Sequence, residues 1–563
     1  MKQNRGLLIS IFLCLIFAVA GYSWAAGLAT SIINYRSPLR FAPPAPDAPL
    51  GTPLTRRVVI VLIDGLRYTT STNTDVMPFM NTLRGSGAGA HIYSQPPSYS
   101  GPGMTTLLTG AWPDINDAPP INLDDSNIRT FTQDDIFSAA HRLGLRTALS
   151  GYDWLGKIIP QHALDASFYT SGAGATADQA VMQAALPALS GNYQLVLIYL
   201  DQVDYVEYYQ GGPLDPPSYA AAKRTDSDLQ RIVSTLDLKK DTVIVLSDHG
   251  QINRGGDGGP EPITLLEPFV MAGAGVRPSM AIPDITQADV APTVAALLGT
   301  NLPASTEGRV LTEMLNLAPA YAAKIQAAEI IQKKRLFQAY TTAINAQPAR
   351  PPDPSDSFSY AIAMLDARAA RLASERTWRN LAAIALAVLP AYFLVISGKK
   401  KFLWLAGGAV VYVLIFNFCY AILENQTYSL SAVESQNGFI IITAVTASIA
   451  LVIAWLISML RLRAFQAGPR NAAETSLGFI LFTLYLLALP ILVNFAVNGI
   501  LVTWTLPEFY TAYIALLSLI QWVLVAMFGL VLAGAAALVA HYVPHPIRKY
   551  RKSRRKHEHQ NGN

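Results

Sequence analysis

The sequence predicts an α/β domain on a mostly parallel sheet. An apolar N-terminal helix precedes it, and a bundle of about five membrane-spanning helices follows. Three observations predict this. Short apolar runs that end in carboxylates alternate with helical patterns through the middle of the chain. Long apolar stretches lie at both ends. Charge is divided between the two kinds of segment. The 563 residues are 51% hydrophobic and only 14% charged, against roughly 25% charged in ordinary soluble domains, which argues against a soluble cytoplasmic enzyme. From Ser31 to Trp378 there are 26 basic and 33 acidic residues, whereas the segment after Trp378 has 14 basic and 5 acidic. The central block is therefore acidic between basic, apolar ends. A nucleic-acid partner would need clustered basic charge on the folded domain, so none is expected.

Taken in order, Gly6–Ala26 is a mostly apolar run behind Lys2 and Arg5. Small residues at Ala25-Ala26-Gly27 would suit cleavage of a signal, but the run is long enough to span a bilayer, which favours a retained anchor. Residues 1–30 are read as that anchor or signal, and 31–55 as a linker with a Pro-rich core at Phe41–Pro53. Residues 56–316 form the α/β domain, 317–379 a helical connector, 380–543 the membrane region and 544–563 a basic tail. The five apolar stretches of the membrane region are Asn380–Ser397, Phe402–Leu423, Gly438–Leu460, Leu477–Val497 and Tyr510–Val543. Lys399–Lys401, then Arg461, Arg463 and Arg470, then Arg548–Lys556 follow the first, third and fifth. The loops Glu424–Asn437 and Asn498–Glu508 carry no Lys or Arg. By the positive-inside rule both termini are cytoplasmic and the acidic block faces outward, in a multi-pass protein of the plasma membrane whose tail can touch anionic lipid. Cys14 and Cys419 both lie in apolar runs, so no disulfide framework or Cys-based zinc site is expected. Asn425-Gln-Thr427 fits a glycosylation acceptor on an outer loop.

Within the α/β domain, Arg57–Ile63, Gln194–Leu200 and Thr242–Leu246 read as buried strands, followed by Asp64, Asp201 and Asp248. Gln133–Leu143 and Ala177–Leu189 read as helices between them. Ligands of such sheets sit beyond the carboxyl ends of the strands. One aspartate there is often a turn residue. Three, with His249 directly after Asp248, form a set of oxygen and nitrogen donors suited to a divalent cation, and without a cation they would repel one another. Ser100 precedes Pro102, which suits the first turn of a helix ended by Gly110. Ser100 is either an ordinary capping serine or a nucleophile at a helix N-terminus. His91, His162, His557 and His559 match no motif. Tyr68, Asn73, Tyr99, Tyr208 and Tyr209 could line a pocket, with ordinary packing as the plainer reading.

The ordered set Val-Leu-Ile-Asp64-Gly-Leu-Arg, Ser100-x-Pro-Gly to Leu-Leu-Thr-Gly110, Asp201-Gln-Val-Asp204 and Leu-Ser-Asp248-His249-Gly resembles the alkaline phosphatase superfamily. Its nearest branches are the type I phosphodiesterase/nucleotide pyrophosphatases and the GPI ethanolamine phosphate transferases. Pro268–Val276 and the stretch Thr286–Thr293, Gly299 and Gly308-Arg309 resemble the closing segments of that fold, so the likeness runs from about Arg57 to Leu315. One anchor, an outer domain and several membrane helices also resemble the GPI transferases. The resemblance implies an alkaline-phosphatase-like sheet, two divalent ions (Zn, Mn or Mg), and Ser100 as a nucleophile that forms a phospho-enzyme. Asp64, Ser100, Asp248 and His249 match the positions of one ion and the nucleophile. At the second ion the family pattern departs. Counting from Asp204 puts Tyr208 where a histidine is expected, and counting from Asp201 puts Tyr205 there; Asp204 is preferred because Gly211 then falls in place. The family's later Gly-x-His-Gly reads Gly255-Gly256-Asp257-Gly258. Either Asp257 joins the aspartates in an oxygen-rich site, with Glu207 as a weaker candidate, or the second ion is lost. Oxygen ligands favour Mg, Mn or Ca over Zn.

The expected function is a membrane-anchored, metal-dependent phosphodiesterase or phosphotransferase acting outside the cytoplasm, on a phosphodiester that is lipid-linked or part of the envelope. Three other readings compete. One is a non-catalytic binding or assembly protein, motivated by the absent histidines. Another is a sulfatase-like hydrolase, disfavoured because Ser100-Gly-Pro-Gly-Met104 lacks the arginine of that motif. The third is a transporter or flippase, disfavoured because the drawn spans contain no Asp, Glu, Lys or Arg.

Overall fold

The computed structural model describes residues 5–542, apart from 124–126, 397–399 and 434. Lys2, Lys399, His557, His559 and the basic tail at 544–563 lie outside the described residues. Eight strands form one sheet: β1 (Arg57–Ile63), β2 (Ala88–Tyr93), β3 (Thr147–Tyr152), β4 (Ala166–Thr170), β5 (Leu195–Leu200), β6 (Asp241–Leu246), β7 (Leu266–Gly273) and β8 (Met280–Thr286). Their order is β4-β3-β5-β1-β6-β7-β2-β8. Strands β4, β3, β5, β1 and β6 run parallel. β7 is antiparallel to both β6 and β2, and β8 is parallel to β2.

The burial pattern explains this placement. Every residue of β1, β5 and β6 is buried, which suits their near-continuous Val, Ile and Leu, since a parallel strand covered on both faces has no polar side. The edge strands β4 and β8 are mostly half-buried or exposed, and β8 carries Pro283, which an edge tolerates. Register then decides where the site falls. Ile63 pairs with Leu200, and Leu62 with both Tyr199 and Leu246. Asp64, Asp201 and Asp248 therefore leave three adjacent parallel strands at the same edge.

Among the described residues, five helices are long and apolar enough to cross a membrane: Arg5–Ile33, Lys400–Leu423, Gln436–Arg461, Pro469–Asn498 and Phe509–Tyr542. The protein is thus a multi-pass membrane protein with one such helix before the sheet and four after it. The expected span Asn380–Ser397 continues the helical connector: one 40-residue helix runs Ser357–Ile396, with Arg371, Glu375, Arg376 and Arg379 midway. The N-terminal helix packs on the last one. Phe17 stacks on Trp522 at 5.4 Å, and a side chain at Gly21 would press on Val523 at 3.2 Å. Small residues at such crossings let helices approach closely.

The loops 424–433 and 499–508 lie on the side of the sheet domain. Arg254 Nη1 donates to Asn425 O at 2.9 Å, and in the C-terminal half of the first helix Trp24 Nε1 donates to Ile500 O at 3.0 Å and Ser31 Oγ accepts the Val502 N–H at 3.0 Å. Arg368 meets Asp114 at 2.5 Å and joins the long helix to the domain. Arg461 lies over the Trp404 ring, 4.8 Å away, so the basic end of one span meets the start of another at the opposite side. In a Cys14→Ser/Cys419→Ala background, a membrane-impermeant maleimide applied to intact cells should label Thr503→Cys and leave Gln466→Cys untouched. The reverse pattern would invert the topology.

Candidate functional site

Ser100 opens the helix Ser100–Thr109, whose N-cap is Tyr99 and whose end is Gly110 in the left-handed region at φ 70°. Tyr99 makes no side-chain cap bond, and the Ser100 hydroxyl turns away from a capping role. Its Oγ lies 3.1 Å from His249 Nε2 and 3.5 Å from Asp64 Oδ1. The helix can reach this close because Gly103 has no side chain: a Cβ there would lie 2.7 Å from Asp248 O.

His249 Nε2 is the centre of the group. Besides Ser100 it meets Asp64 Oδ1 at 3.1 Å and Asp257 Oδ2 at 3.2 Å. Nδ1 faces Gly250 O at 3.1 Å. A nitrogen beside a carbonyl must carry the proton, so in the neutral ring Nε2 presents its lone pair to two carboxylates. That arrangement is repulsive unless a positive charge, a proton or a cation, sits among them. The donor atoms of Asp64, Asp204 and His249 lie within 4.8 Å of one another.

Asp248 sharpens the point. Both its carboxylate oxygens are buried without a hydrogen-bond donor among the described residues, and Asp64 faces it. Buried polar groups are ordinarily satisfied, so the orphaned oxygens fit a divalent cation. Asp64 Oδ2 accepts from the Tyr199 hydroxyl, Asp204 Oδ1 accepts from the Gln251 amide, and Asp201 also faces Asp64. Glu207 is buried with both oxygens unpartnered, behind Asp204 and beside Arg67.

Electrostatics agree with this crowding. Burial, then the neighbouring Asp64, holds the carboxyls of Asp201, Asp204 and Asp248 well above the usual range. Glu207 is raised by burial and by Asp204. Asp257 is pushed up to about 6, mainly by burial. Burial opposes charge on His249, but Asp257, Asp248 and Asp64 outweigh it and hold the imidazole well above its ordinary value.

The structure therefore brings together Asp64, Ser100, Asp201, Asp204, Asp248, His249 and Asp257, with Glu207 at the margin. His91 lies elsewhere, edge-on to Tyr68 at 4.3 Å and 3.3 Å from Asp284. Sequence reasoning missed three supporting residues. Tyr199 lies two positions before Asp201, the spacing that puts both on one face of a strand. Gln251 follows His249 by two. Asp178 accepts Asp201 N at 2.9 Å, Gln202 N at 3.1 Å and Tyr152 Oη–H at 2.8 Å, and so fixes the turn after β5.

Fold and site together define a multi-pass membrane protein whose α/β domain is alkaline-phosphatase-like. The profile of the type I phosphodiesterase / nucleotide pyrophosphatase family matches residues 58–117 and 131–262, so the likeness to that family lies within this domain. It is 23% identical over 305 residues to the human GPI ethanolamine phosphate transferase 2 catalytic subunit, covering 49% of this chain and 30% of that protein. It is 24% identical over 307 residues to GPI ethanolamine phosphate transferase 2 of Kluyveromyces lactis, covering 49% and 38%. The match thus spans about a third of the length of these relatives. Human ectonucleotide pyrophosphatase/phosphodiesterase 5 aligns in structure with a TM-score of 0.41 at 13% identity, covering 46% of this chain and all of that one.

A cation must displace protons from these carboxyls, so its binding releases protons. Mn²⁺ affinity should fall as pH drops through about 6, where Asp257 takes up its proton. Stability of the cation-free protein should run the other way. Asp257 favours the folded state below its ordinary value of 3.8, and that contribution is lost as pH rises through about 6. Titration of Mn²⁺ by electron paramagnetic resonance and thermal melts across pH 4.5–7.5 check both signs.

Proposed function

We propose that this chain is a metal-dependent enzyme of phosphodiester transfer or hydrolysis, with its site outside the cytoplasm and Ser100 as the nucleophile. The observation that carries the reading is the Ser100 hydroxyl, 3.1 Å from His249 Nε2 at the start of a helix, in a group whose Asp248 carboxylate has no donor among the described residues. Asp64, Asp248 and His249 would hold one divalent ion; Asp257 with Asp204, or with Asp201, would hold a second. Such ions supply charge stabilisation to the attacking and leaving oxygens of an in-line displacement and lower the pKa of a bound hydroxyl.

The chain's own residues account for the rest. Ser100 Oγ forms a bond to phosphorus as the bond from phosphorus to the leaving oxygen breaks; the Ser100 proton passes to the His249–carboxylate group beside it, and the leaving alkoxide takes a proton from solvent. Water or an acceptor alcohol then attacks phosphorus, and Ser100 leaves as the hydroxyl. The N–H groups of Ser100 and Gly101 open the helix and have no intrahelical acceptor, so they face an incoming anion. Tyr199 fixes the orientation of Asp64, and Gln251 fixes that of Asp204. The names of the relatives, ethanolamine phosphate transferases acting on GPI, and the five membrane helices support a lipid-linked phosphodiester as substrate.

Purified full-length protein should hydrolyse bis-p-nitrophenyl phosphate with added Mn²⁺, Mg²⁺ or Zn²⁺, and Ser100→Ala should lower kcat roughly a thousandfold or more. Equal turnover by wild type and Ser100→Ala would remove Ser100 as nucleophile. Asp248→Asn should cut both turnover and Mn²⁺ affinity by at least about tenfold, with the fold intact by circular dichroism.

A further inference from the structure

Asp257 occupies a weak position for a ligand. It sits in Gly255-Gly256-Asp257-Gly258-Gly259, with Gly255, Gly256 and Gly258 at φ 87°, 113° and 91°. Such a segment has no side chains of its own to pack and many accessible conformations. Its order must come from its partners: within the α/β domain Gln251 Oε1 accepts the Gly256 N–H at 3.1 Å, and from outside the domain the membrane loop 424–433 holds it.

The contacts are direct. Ser431 Oγ accepts the Gly259 N–H at 3.0 Å and donates to Glu261 Oε2 at 2.8 Å. Ser429 Oγ donates to the other oxygen of the same carboxylate. Arg254 donates to Asn425 O at 2.9 Å and to Gln426 Oε1 at 3.1 Å. Tyr99, next to Ser100, donates its hydroxyl to Leu430 O at 3.4 Å. The membrane loop is fixed in turn by the helices behind it. Tyr513 donates to Thr427 O at 3.3 Å and meets Tyr420 Oη at 2.5 Å, and Tyr428 donates to Asn417 Oδ1 at 2.5 Å. On the catalytic side, Ser98 Oγ accepts Gly258 N–H at 3.1 Å and donates to Gly259 O at 3.1 Å. The same glycine segment is thus held from the Ser100 loop on one side and from the membrane on the other.

The geometry points to the loop 424–433 as a working part of the reaction site: Ser429 and Ser431, through Glu261 and Gly259, position Asp257 against His249 and Ser100. This rests on the reading of the site as a metal-dependent one. It gives the membrane helices a task beyond anchoring, because the catalytic domain without them would lose one of the two sides that hold the Asp257 segment. Ser429, Ser431 and Glu261 are positioning residues, since none of them touches the reacting group.

The test uses the full chain in nanodiscs, with Mn²⁺ alone as probe, read by electron paramagnetic resonance without turnover. Asp257→Asn and Ser429→Ala/Ser431→Ala should each weaken Mn²⁺ binding at least about tenfold, the usual size of an effect on residues that orient metal ligands. Ser431→Thr, which keeps the hydroxyl, should stay within about twofold of wild type. Melting temperatures should match wild type. Should the double variant prove unstable, the single Ser431→Ala carries the same expectation with a smaller loss. Wild-type Mn²⁺ affinity in the serine variants, or in Asp257→Asn, would overturn the proposal. An inactive protein whose Mn²⁺ affinity still follows Ser429 and Ser431 would support it while sinking the phosphodiester reading.

Discussion

The structure depends on one constraint: carboxylates crowded at the ends of three adjacent parallel strands. Asp64, Asp201 and Asp248 share that edge because β5, β1 and β6 run in register. Removing a carboxylate from water is unfavourable, and setting two together is more so. Asp248 has no donor at all among the described residues. Only positive charge at the centre relieves the site, and His249 Nε2 lies where that charge is required, within 3.2 Å of Asp64, Asp257 and Ser100.

The surroundings serve this arrangement. Tyr199 and Gln251 each donate to one oxygen of one aspartate, which fixes orientation and leaves the second oxygen free to face inward. Gly103 lets the Ser100 helix close on the Asp248 backbone, and Gly65 lets Asp204 approach, since a Cβ there would lie 2.8 Å from Asp204 Oδ1. Oxygen donors dominate where histidines are usual in the superfamily it resembles, which shifts preference toward hard cations. The aromatic group Tyr205, Tyr208 and Tyr209, with ring centroids 5.1 and 5.3 Å apart, stands on the helix that carries Asp204, where one of those histidines is expected, and Asp257 stands at the place of the other.

Much of the fold was legible because its central strands are covered on both faces. A buried parallel strand reads as an unbroken run of Val, Ile and Leu, so β1, β5 and β6 announce themselves. The strands that escaped reading do not. β2 is Ala-Gly-Ala-His-Ile-Tyr, β3 is Thr-Ala-Leu-Ser-Gly-Tyr, and β4 and β8 are half-exposed edges; small residues and mixed faces leave no period to find. The Ala-rich pattern Phe358–Arg379 reads as a helix running into the apolar stretch Asn380–Ser397, and one helix does run Ser357–Ile396. Most candidate site residues were readable because they stand at the end of a strand or the start of a helix, as Asp64, Ser100, Asp201, Asp204 and Asp248 do. Tyr199, Gln251 and Asp178 were not, because their importance lies in what they touch.

The sequence by itself determined the class of fold, the partition into membrane and α/β segments, and the donor atoms at the strand ends, since periodicity and composition fix how much of each segment must be hidden from water. The tertiary structure alone decided which carboxylates meet. It placed Asp204 and Asp201 both toward Asp64, brought Asp257 to His249 from a glycine loop, and set the membrane loop 424–433 against that glycine loop. These are contacts between residues up to 172 positions apart, as for Arg254 with Gln426 and Gly259 with Ser431. Local preference carries no information about such pairs; chain topology and the need to satisfy buried polar groups settle them.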